Sequence, residues 1–167
     1  MTDAHNSIAT MGQLITLLQL EPRGVDQFQG ASEDIGTGRV FGGQVLGQAL
    51  VAACRTATSP IHSLHAYFLL PGDHHQPIDY LVERVRDGRS FATRRVVAQQ
   101  KGRTIFTMMA SFHAPEAGSF SHQRQMPAVP PPEGLQTETA LRQAQAHQLP
   151  AGWRGEELPP IEYRMVD

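Results

Sequence analysis

A pair of glycines at the start of an unusually apolar stretch constrains the fold more than any other feature of this chain. Gly42 and Gly43 precede small and apolar residues that recur at helical spacing, which predicts a helix over residues 43–56 that is buried on most sides. Because glycine has no side chain, another group can approach the backbone N–H donors at the helix start, which lack partners within the helix. This arrangement would suit a polarised carbonyl or a bound anion, although the glycines could instead serve only tight helix–sheet packing.

The rest of the sequence predicts a short helix and one strand before the glycine pair, and four strands after the helix that it begins. Apolar residues at helical spacing predict a helix over residues 8–20, which ends at Glu21–Gly24, and residues 25–30 are predicted as a first strand. After Pro60 the pattern changes to strands, predicted over 61–70, 78–86, 91–100 and 103–113. Asp87-Gly88 predicts a two-residue hairpin turn with positive φ at both residues, and Lys101-Gly102 predicts a second tight turn.

These elements together predict an α+β protein with a single hotdog fold. An extra strand, the helix 43–56 and a four-strand antiparallel meander describe a sheet wrapped around a central helix. In the last strand, Phe106, Met108 and Phe112 point to one face, while Ile105 and Met109 make the other face rather apolar as well. A sheet that is apolar on both sides is predicted to be covered by another subunit or domain.

Length, charge and cysteine content limit the possible functions. A chain of 167 residues with a net charge of −2 fits one domain with extensions and argues against a nucleic-acid surface. The sequence shows no signal peptide and no apolar run near the roughly 20 residues of a membrane span, so we expect a soluble cytoplasmic protein. The single cysteine, Cys54, excludes an internal disulfide and is predicted to pack within the helix as a small hydrophobe.

The histidines offer a candidate base but no metal site. His62 and His65 lie three residues apart on one predicted strand, so alternation would place them on opposite faces, where they cannot readily share a metal ion. Either is ordinarily structural, yet one could act as a base near neutral pH. His74-His75 is predicted to lie in a solvated turn. We therefore predict no metal and no other cofactor.

Other polar groups carry weaker signals. Glu33 and Asp34 precede the glycine pair, and the expected role of Asp34 is to accept hydrogen bonds from nearby backbone N–H groups, with catalysis as a minor alternative. Ser90 has no evident base, and no Gly-x-Ser-x-Gly motif is present, so a serine nucleophile is disfavoured. Several arginines cluster around one hairpin, either as a solvated strand pair or as contacts to ligand phosphates: Arg84, Arg86, Arg89, Arg94 and Arg95.

Several segments taken together resemble the N-terminal half of the acyl-CoA thioesterase II family, whose members are double-hotdog proteins. They lie in the family's order at residues 40–50, 62–69, 71–73, 86–91 and 110–116, and the Met126-Pro127 pair and residues 161–164 also fit. The resemblance implies hydrolysis of acyl-CoA thioesters to fatty acid and coenzyme A. In that reaction water attacks the carbonyl, and preplaced donors hold the negative charge that develops on oxygen.

The resemblance also implies which parts of the family's chemistry lie elsewhere. The Asp, the Thr or Ser hydroxyl and the Gln that activate water in the family belong to its second hotdog, and none can be carried onto a position here. The implied organisation is a hotdog domain over 1–116, a proline-rich linker with a short helix over 117–160, and the start of a second hotdog at 161–167. Leu70 departs from the basic residue that many relatives have before Pro-Gly-Asp.

Two interpretations of the function follow. One is a thioesterase, or its N-terminal domain, that acts on medium to long acyl-CoA; the alternative is a non-catalytic half-domain that supports assembly and acyl-CoA binding. An enoyl-CoA hydratase is disfavoured because no histidine follows Asp34 before the helix. A single hotdog leaves an open sheet edge, so we expect a homodimer or higher homo-oligomer. The predicted catalytic residues are Gln44 and His62, and the predicted substrate-binding residues are Gly42, Gly43 and Arg89.

Overall fold

The computed structural model describes residues 10–34, 38–148 and 160–166. These residues fall into two compact units. The first unit contains 14–34 and 38–116, and the second contains 10–13, 117–148 and 160–166. The predicted start of the first helix at residue 8 and the predicted stop of the last helix at Pro150 lie outside the described residues.

The first unit contains a six-stranded antiparallel sheet with one long helix packed against it. The helix, α2, follows a shorter helix, α1, and packs against β2 to β6. This confirms the predicted α+β architecture, with α2 close to its predicted bounds. The elements are α1 (Met11–Leu17), β1 (Glu21–Gly24), β2 (Gln27–Gly30), α2 (Gly42–Cys54), β3 (Ile61–Phe68), β4 (Ile78–Asp87), β5 (Phe91–Gln100) and β6 (Arg103–His113).

The strand order β1-β2-β4-β5-β6-β3 shows that the predicted four-strand meander was wrong at its first step. Strands β4, β5 and β6 do form a meander, but β3 pairs with β6 at the far edge of the sheet. The segment after β3 remains beside β6, because the amides of Leu69 and Leu70 both donate to the carbonyl oxygen of Ile105, at 2.9 and 3.2 Å. Alternation predicts which face a strand buries, and it says nothing about which strand lies beside it.

The turns also differ from the predictions in two places. Glu21–Gly24, predicted as the end of a helix, forms a hairpin with β2 through a turn in which Asp26 has φ 55°. At the β4–β5 turn, neither Asp87 nor Gly88 has positive φ, so the predicted two-residue turn is wrong. The Gly88 amide instead donates to the carbonyl of Phe91 at 2.8 Å. The second tight turn is confirmed, with φ 50° at Lys101 and 73° at Gly102.

The core lies between α2 and the facing side of the sheet. The predicted inward face of β6 is confirmed, and it packs with Val45, Ala49, Ala52 and Ala53 of α2. Two glutamines of α2, Gln44 and Gln48, are buried as well, which the apolar pattern did not predict. Cys54 is exposed at the last position of the helix, so its predicted packing in the interior was wrong. The buried β6 side chains of this face are Phe106, Met108, Ala110 and Phe112.

The second unit contains little regular structure. Residues 117–131 form neither helix nor strand, Pro132–Gly134 forms a short 3₁₀ turn, and α3 covers Glu138–Ala144. The hydroxyl of Thr137 caps α3 by accepting a hydrogen bond from the Ala140 amide at 3.1 Å, as expected of a helix N-cap. In place of the predicted strand at 161–166, the described residues show an isolated bridge between Thr137 and Arg164. None of the described helices is long and apolar enough to cross a membrane.

Candidate active site at the N-terminal end of α2

A cavity of about 380 Å³ lies at the N-terminal end of α2. Its walls come from the start of α2, the segment that follows β3 and the start of β6. Among the described residues that line it, Arg39 is charged and none is Asp, Glu or His, so the cavity is mainly apolar and contains no general base. The lining residues are Arg39, Val40, Gly42, Val45, Phe68, Leu69, Leu70, Pro71, Gly72, Ile105 and Phe106.

The first turn of α2 presents backbone donors beside this cavity. Phe41 precedes the helix, and no side chain caps it. The first N–H groups of a helix have no acceptor within the helix and lie at the positive end of its dipole. A Cβ atom at Gly42 would lie 3.0 Å from Cε1 of Phe68, and one at Gly43 would lie 2.3 Å from Cε1 of Phe41. Gly42 thus lines the cavity directly, whereas Gly43 lies under the Phe41 ring.

Gln44, a predicted catalytic residue, is buried and bonded to the backbone. Its Nε2 donates to the carbonyl of Ala31 at 2.9 Å, and its Oε1 accepts from the Glu33 amide at 3.3 Å. Both ends of the amide therefore hold the loop that follows β2. The loop is further shaped by Asp34, whose Oδ1 accepts from the Gly38 amide at 3.0 Å, which confirms the expected turn role of this carboxylate.

One turn further along α2, Gln48 is fully buried and is the centre of a polar network that the sequence did not predict. Its Nε2 donates to the carbonyls of Leu17 and Ala31 at 2.6 and 2.9 Å, and its Oε1 accepts from the Tyr80 hydroxyl at 2.7 Å. Burial raises the pKa of Tyr80, so the phenol stays protonated and donates. Gly30 makes room for the network, because a Cβ there would lie 2.7 Å from the Gln48 amide.

His62, the other predicted catalytic residue, lies on the opposite face of the sheet from α2. Its Nε2 is 2.9 Å from Oγ of Ser111, a β6 residue that alternates with the buried face. His65 pairs with Met109, two residues before Ser111 in β6, so both histidines share the outer face. A register shift between Ile61 and Ser63 explains why the predicted alternation failed. The structure therefore does not bring Gln44 and His62 together.

Arg89, predicted to bind substrate, lies at the wrong end of the sheet for this cavity. It is exposed in the turn between β4 and β5. That turn lies near the end of β6, where Phe91 pairs with His113, whereas the cavity lies near its start, at Ile105. Eight residues of strand separate the two positions, a span of roughly 25 Å. Arg89 is therefore not part of the site formed by the α2 N-terminus.

The remaining arginines of the predicted cluster are mostly engaged in structure. Arg94 is buried and ties the C-terminal end of α2 to the hairpin: its guanidinium donates to the hydroxyl and carbonyl of Thr56 at 2.9 and 2.7 Å. It also donates to the carboxylate of Asp87 at 2.5 Å. Arg84 forms a two-pronged ion pair with Asp26, at 2.7 and 2.9 Å. These contacts favour the structural alternative for the arginine cluster.

The turn after β3 holds the one group of described residues with donor atoms close enough to share a metal ion. The donor atoms of Asp73, His74 and His75 lie within 4.8 Å of one another. The backbone N–H of His75 donates to the Asp73 carboxylate and, as the largest cause, lowers the pKa of Asp73, and Lys101 lies 3.7 Å from its other oxygen. Because the carboxylate is already bonded in this way, we assign it to the structure of the turn.

Comparisons with known proteins identify the fold and the family of this chain. A sequence profile of the family described as "Acyl-CoA thioesterase N-terminal domain" matches residues 31–113. Human acyl-coenzyme A thioesterase 8 is 47% identical over 122 residues, which cover 72% of this chain and 38% of the relative. Acyl-CoA thioesterase 2 of Haemophilus influenzae is 46% identical over 142 residues, which cover 84% of this chain and 49% of the relative.

Solved structures agree with these sequence matches. An acyl-CoA thioesterase II from Mycobacterium marinum superposes with a TM-score of 0.64 and 48% identity, over 71% of this chain and 44% of that protein. A conserved hotdog-fold protein from Alicyclobacillus acidocaldarius superposes with a TM-score of 0.68 at 23% identity, over 74% of this chain and 48% of that protein, and supports the fold alone. The chain spans at most about half the length of the relatives named above. It belongs to the acyl-CoA thioesterase family and matches that family's N-terminal hotdog domain.

Proposed function

We propose that this chain binds acyl-CoA thioesters at the N-terminal end of α2 and contributes this site to their hydrolysis into fatty acid and coenzyme A. The observation that carries the proposal is the uncapped first turn of α2, opening through Gly42 onto an apolar cavity of about 380 Å³. An apolar cavity with a few converging polar groups is the usual form of a small-molecule site. The acyl-CoA thioesterase relatives supply the substrate class.

The proposed chemical role of the first turn is to hold negative charge on the carbonyl oxygen. Water adds to the thioester carbon, the carbonyl oxygen becomes an oxyanion, and the carbon–sulfur bond then breaks. The departing thiolate takes up a proton to give free coenzyme A. Backbone N–H groups aimed at the oxyanion would stabilise it, and surroundings such as Val45 and Ile105 would strengthen that effect by excluding water.

The group that activates water is proposed to come from outside the cavity lining described here. No acidic residue or histidine is among the described lining residues, and Gln44 and His62 lie on opposite sides of the sheet. This supports the half-domain organisation predicted from the sequence, with a hotdog over 1–116, a linker over 117–160 and the start of a second hotdog at 161–167. The second candidate function, acyl-CoA binding without catalysis by this chain alone, rests on the same observation.

We propose that another hotdog domain pairs with this one along β3. This strand lies at the edge of the sheet and leaves large apolar side chains exposed, with Leu64 at 39%, Tyr67 at 61% and Phe68 at 58% exposure. An open edge of this kind favours pairing with another strand. In a preparation of this chain alone, the partner hotdog would be supplied by another copy of the chain, which gives a homodimer or higher homo-oligomer. The cytoplasmic location of this protein remains a prediction from the sequence.

The test measures release of coenzyme A thiol from palmitoyl-CoA by the purified chain, together with binding of a non-hydrolysable dodecyl-CoA thioether by calorimetry. We expect the thioether to bind. Gly42→Ala should weaken binding about 10-fold, because the added Cβ forces the Phe68 ring to move at the mouth of the cavity. The matched control is Gly134→Ala, where a Cβ would meet nothing within 4 Å.

The two readouts separate the candidate functions. Thiol release above a protein-free blank supports a site completed within an assembly of this chain. Binding without thiol release supports the half-domain. If the folded chain shows neither binding nor release, or if Gly134→Ala weakens binding as much as Gly42→Ala, the proposed site is wrong. Light scattering on the same sample tests the oligomer, and a monomer would contradict the proposed β3 pairing.

A further inference from the structure

A second cavity adjoins the first and extends it toward the turn between β5 and β6. Its volume is about 360 Å³. It shares Leu70, Pro71 and Ile105 with the cavity at the α2 N-terminus, so the two cavities lie side by side along these side chains, and together they are called the groove below. The groove is apolar at the helix end and polar at the turn end. The further residues that line the turn end are Asp73, Gln76, Gln100, Lys101 and Arg103.

Two cations lie at the polar end of this groove. Lys101 occupies the tight turn, where its left-handed backbone conformation has φ 50°, and its side chain is 66% exposed. Arg103 begins β6 and is exposed as well. The nearby Asp73 accepts a hydrogen bond from the His75 amide through one carboxylate oxygen, and its other oxygen lies 3.7 Å from Nζ of Lys101. The charged side chains that line this end, two cations and one anion, therefore sum to one positive charge.

These cations lie at the end of the sheet where a ligand bound at Gly42 would extend. Arg94 is buried, Arg84 is paired with Asp26, and Arg89 lies at the far end of the sheet. The arginines of that hairpin therefore do not line this cavity, whereas Lys101 and Arg103 at the β5–β6 turn lie on its side of the sheet. A coenzyme A thioester has the matching pattern, with its thioester at one end and its phosphates at the other.

We propose that Lys101 and Arg103 bind the phosphates of the coenzyme A portion, while the pantetheine arm passes over Leu70 and Pro71. This rests on the proposed function, because the thioester must lie at the α2 N-terminus. Arg103 offers a planar set of N–H donors suited to phosphate oxygens, and Lys101 offers a mobile point charge. The two cations would then make the protein prefer coenzyme A thioesters over pantetheine thioesters, which carry no phosphate.

The experiment compares two ligands that differ by the 3′-phospho-ADP portion of coenzyme A, which carries all of its phosphates. Calorimetry measures the affinity of dodecyl-CoA thioether and of dodecyl-pantetheine thioether for the full chain and its variants. We expect the double variant Lys101→Gln, Arg103→Gln to lose about 10- to 100-fold in affinity for the CoA ligand, and to bind the pantetheine ligand unchanged. Asp73→Asn, which keeps the acceptor for the His75 amide, should strengthen CoA binding by about two- to threefold.

A control variant removes one positive charge from a different part of the same sheet. Arg95 is an exposed β5 arginine paired with Glu83, opposite Met109 on the outer face, and Arg95→Gln should leave both affinities unchanged. If wild-type protein binds both ligands equally well, or if Arg95→Gln matches the double variant, the phosphate site is wrong and the α2 site stands. If neither ligand binds, both proposals fail. Loss of the CoA preference in 0.5 M salt, with pantetheine binding retained, would support the phosphate site.

Discussion

The two ends of α2 differ in how their polar groups are satisfied. At the C-terminal end, the guanidinium of Arg94 fills a closed network with Thr56 and Asp87 and places a positive charge at the negative end of the helix dipole. At the N-terminal end no side chain caps the helix, and Gly42 opens onto a cavity. One end of the helix is therefore completed by the protein's own side chains, and the other leaves donors available.

This difference separates structural polar residues from candidate functional ones. Buried polar groups in folded proteins nearly always have partners, so a closed network such as that of Arg94 is explained by stability. Donors left open beside an apolar cavity are not needed for the fold, and a ligand atom can complete them. Variants at the closed end, in the middle of the helix and around the open end test whether the two ends of α2 differ in this way.

The largest effect is expected at the closed end, from Arg94→Met. The substitution keeps much of the apolar volume but leaves the buried carbonyl of Thr56 and the part-buried carbonyl of Arg86 without this donor, so we expect the free energy of unfolding to fall by about 2–4 kcal/mol. Urea denaturation measures the change. Arg95→Gln, an exposed control in the same strand, should cost less than about 0.5 kcal/mol. Equal losses in both variants would show that the network contributes little.

A smaller loss is expected in the middle of the helix, from Tyr80→Phe. Removing the buried hydroxyl leaves Oε1 of Gln48 without its 2.7 Å donor, which should cost about 1–2 kcal/mol. Thermal unfolding followed by circular dichroism measures the effect. The control is Tyr163→Phe, because Tyr163 is 55% exposed and its change should be near zero. A wild-type Tm for Tyr80→Phe would mean that water replaces the hydroxyl.

The two predicted catalytic residues give a third comparison, because Gln44 lies near the open end of α2 and His62 lies on the other face of the sheet, and each should change stability by about 1 kcal/mol or less. Gln44→Ala removes the partner of Ala31 and Glu33 and should cost about 1 kcal/mol, whereas exposed His62→Ala should cost less than about 0.5 kcal/mol. From this geometry we expect no loss in kcat/KM or ligand affinity beyond the unfolded fraction. A fall in kcat/KM in either variant at unchanged Tm would support its predicted catalytic role.

The smallest effect is expected for an ion pair near the closed end. Hydrogen bonding to Arg84 lowers the pKa of Asp26 below its ordinary value of 3.8. A lowered folded-state pKa stabilises the protein above pH 3.8 and is lost as the pH falls through the folded value. Because Arg84 is 48% exposed, the contribution should stay below about 1 kcal/mol. Urea titrations at pH 7 and pH 3 should show a smaller pH dependence in Asp26→Asn than in wild type.

Local sequence patterns predicted much of the first unit correctly. Helical spacing predicted α2, and alternation predicted the inward face of β6, because both depend on periodicities that a short segment carries by itself. The tight turn at Lys101-Gly102 followed from turn chemistry. The family resemblance rested on motifs distributed across the chain, and the profile match to residues 31–113 confirms it.

Contacts between segments that are distant in the sequence set which polar groups come together. Pairing of β3 with β6 depends on contacts between distant segments, and one register shift moved His62 to the face that it shares with His65. Gln44 and Gln48 are polar in the sequence yet buried, because loop carbonyls and Tyr80 supply their partners only in the folded chain. The sequence did carry a signal for this network, because Gln44 and Gln48 are polar residues within an otherwise apolar helix.

The amino-acid sequence was enough to predict α2, most of the strands and the family. It could not determine which cations lie beside the cavity, since Arg89 and Arg103 look alike as exposed arginines near turns. Strand direction and strand order place Arg89 at the end of the sheet away from Gly42, and place Arg103 near it. Local patterns specify the conformation of a segment, whereas the ends that come together depend on pairing across the whole sheet.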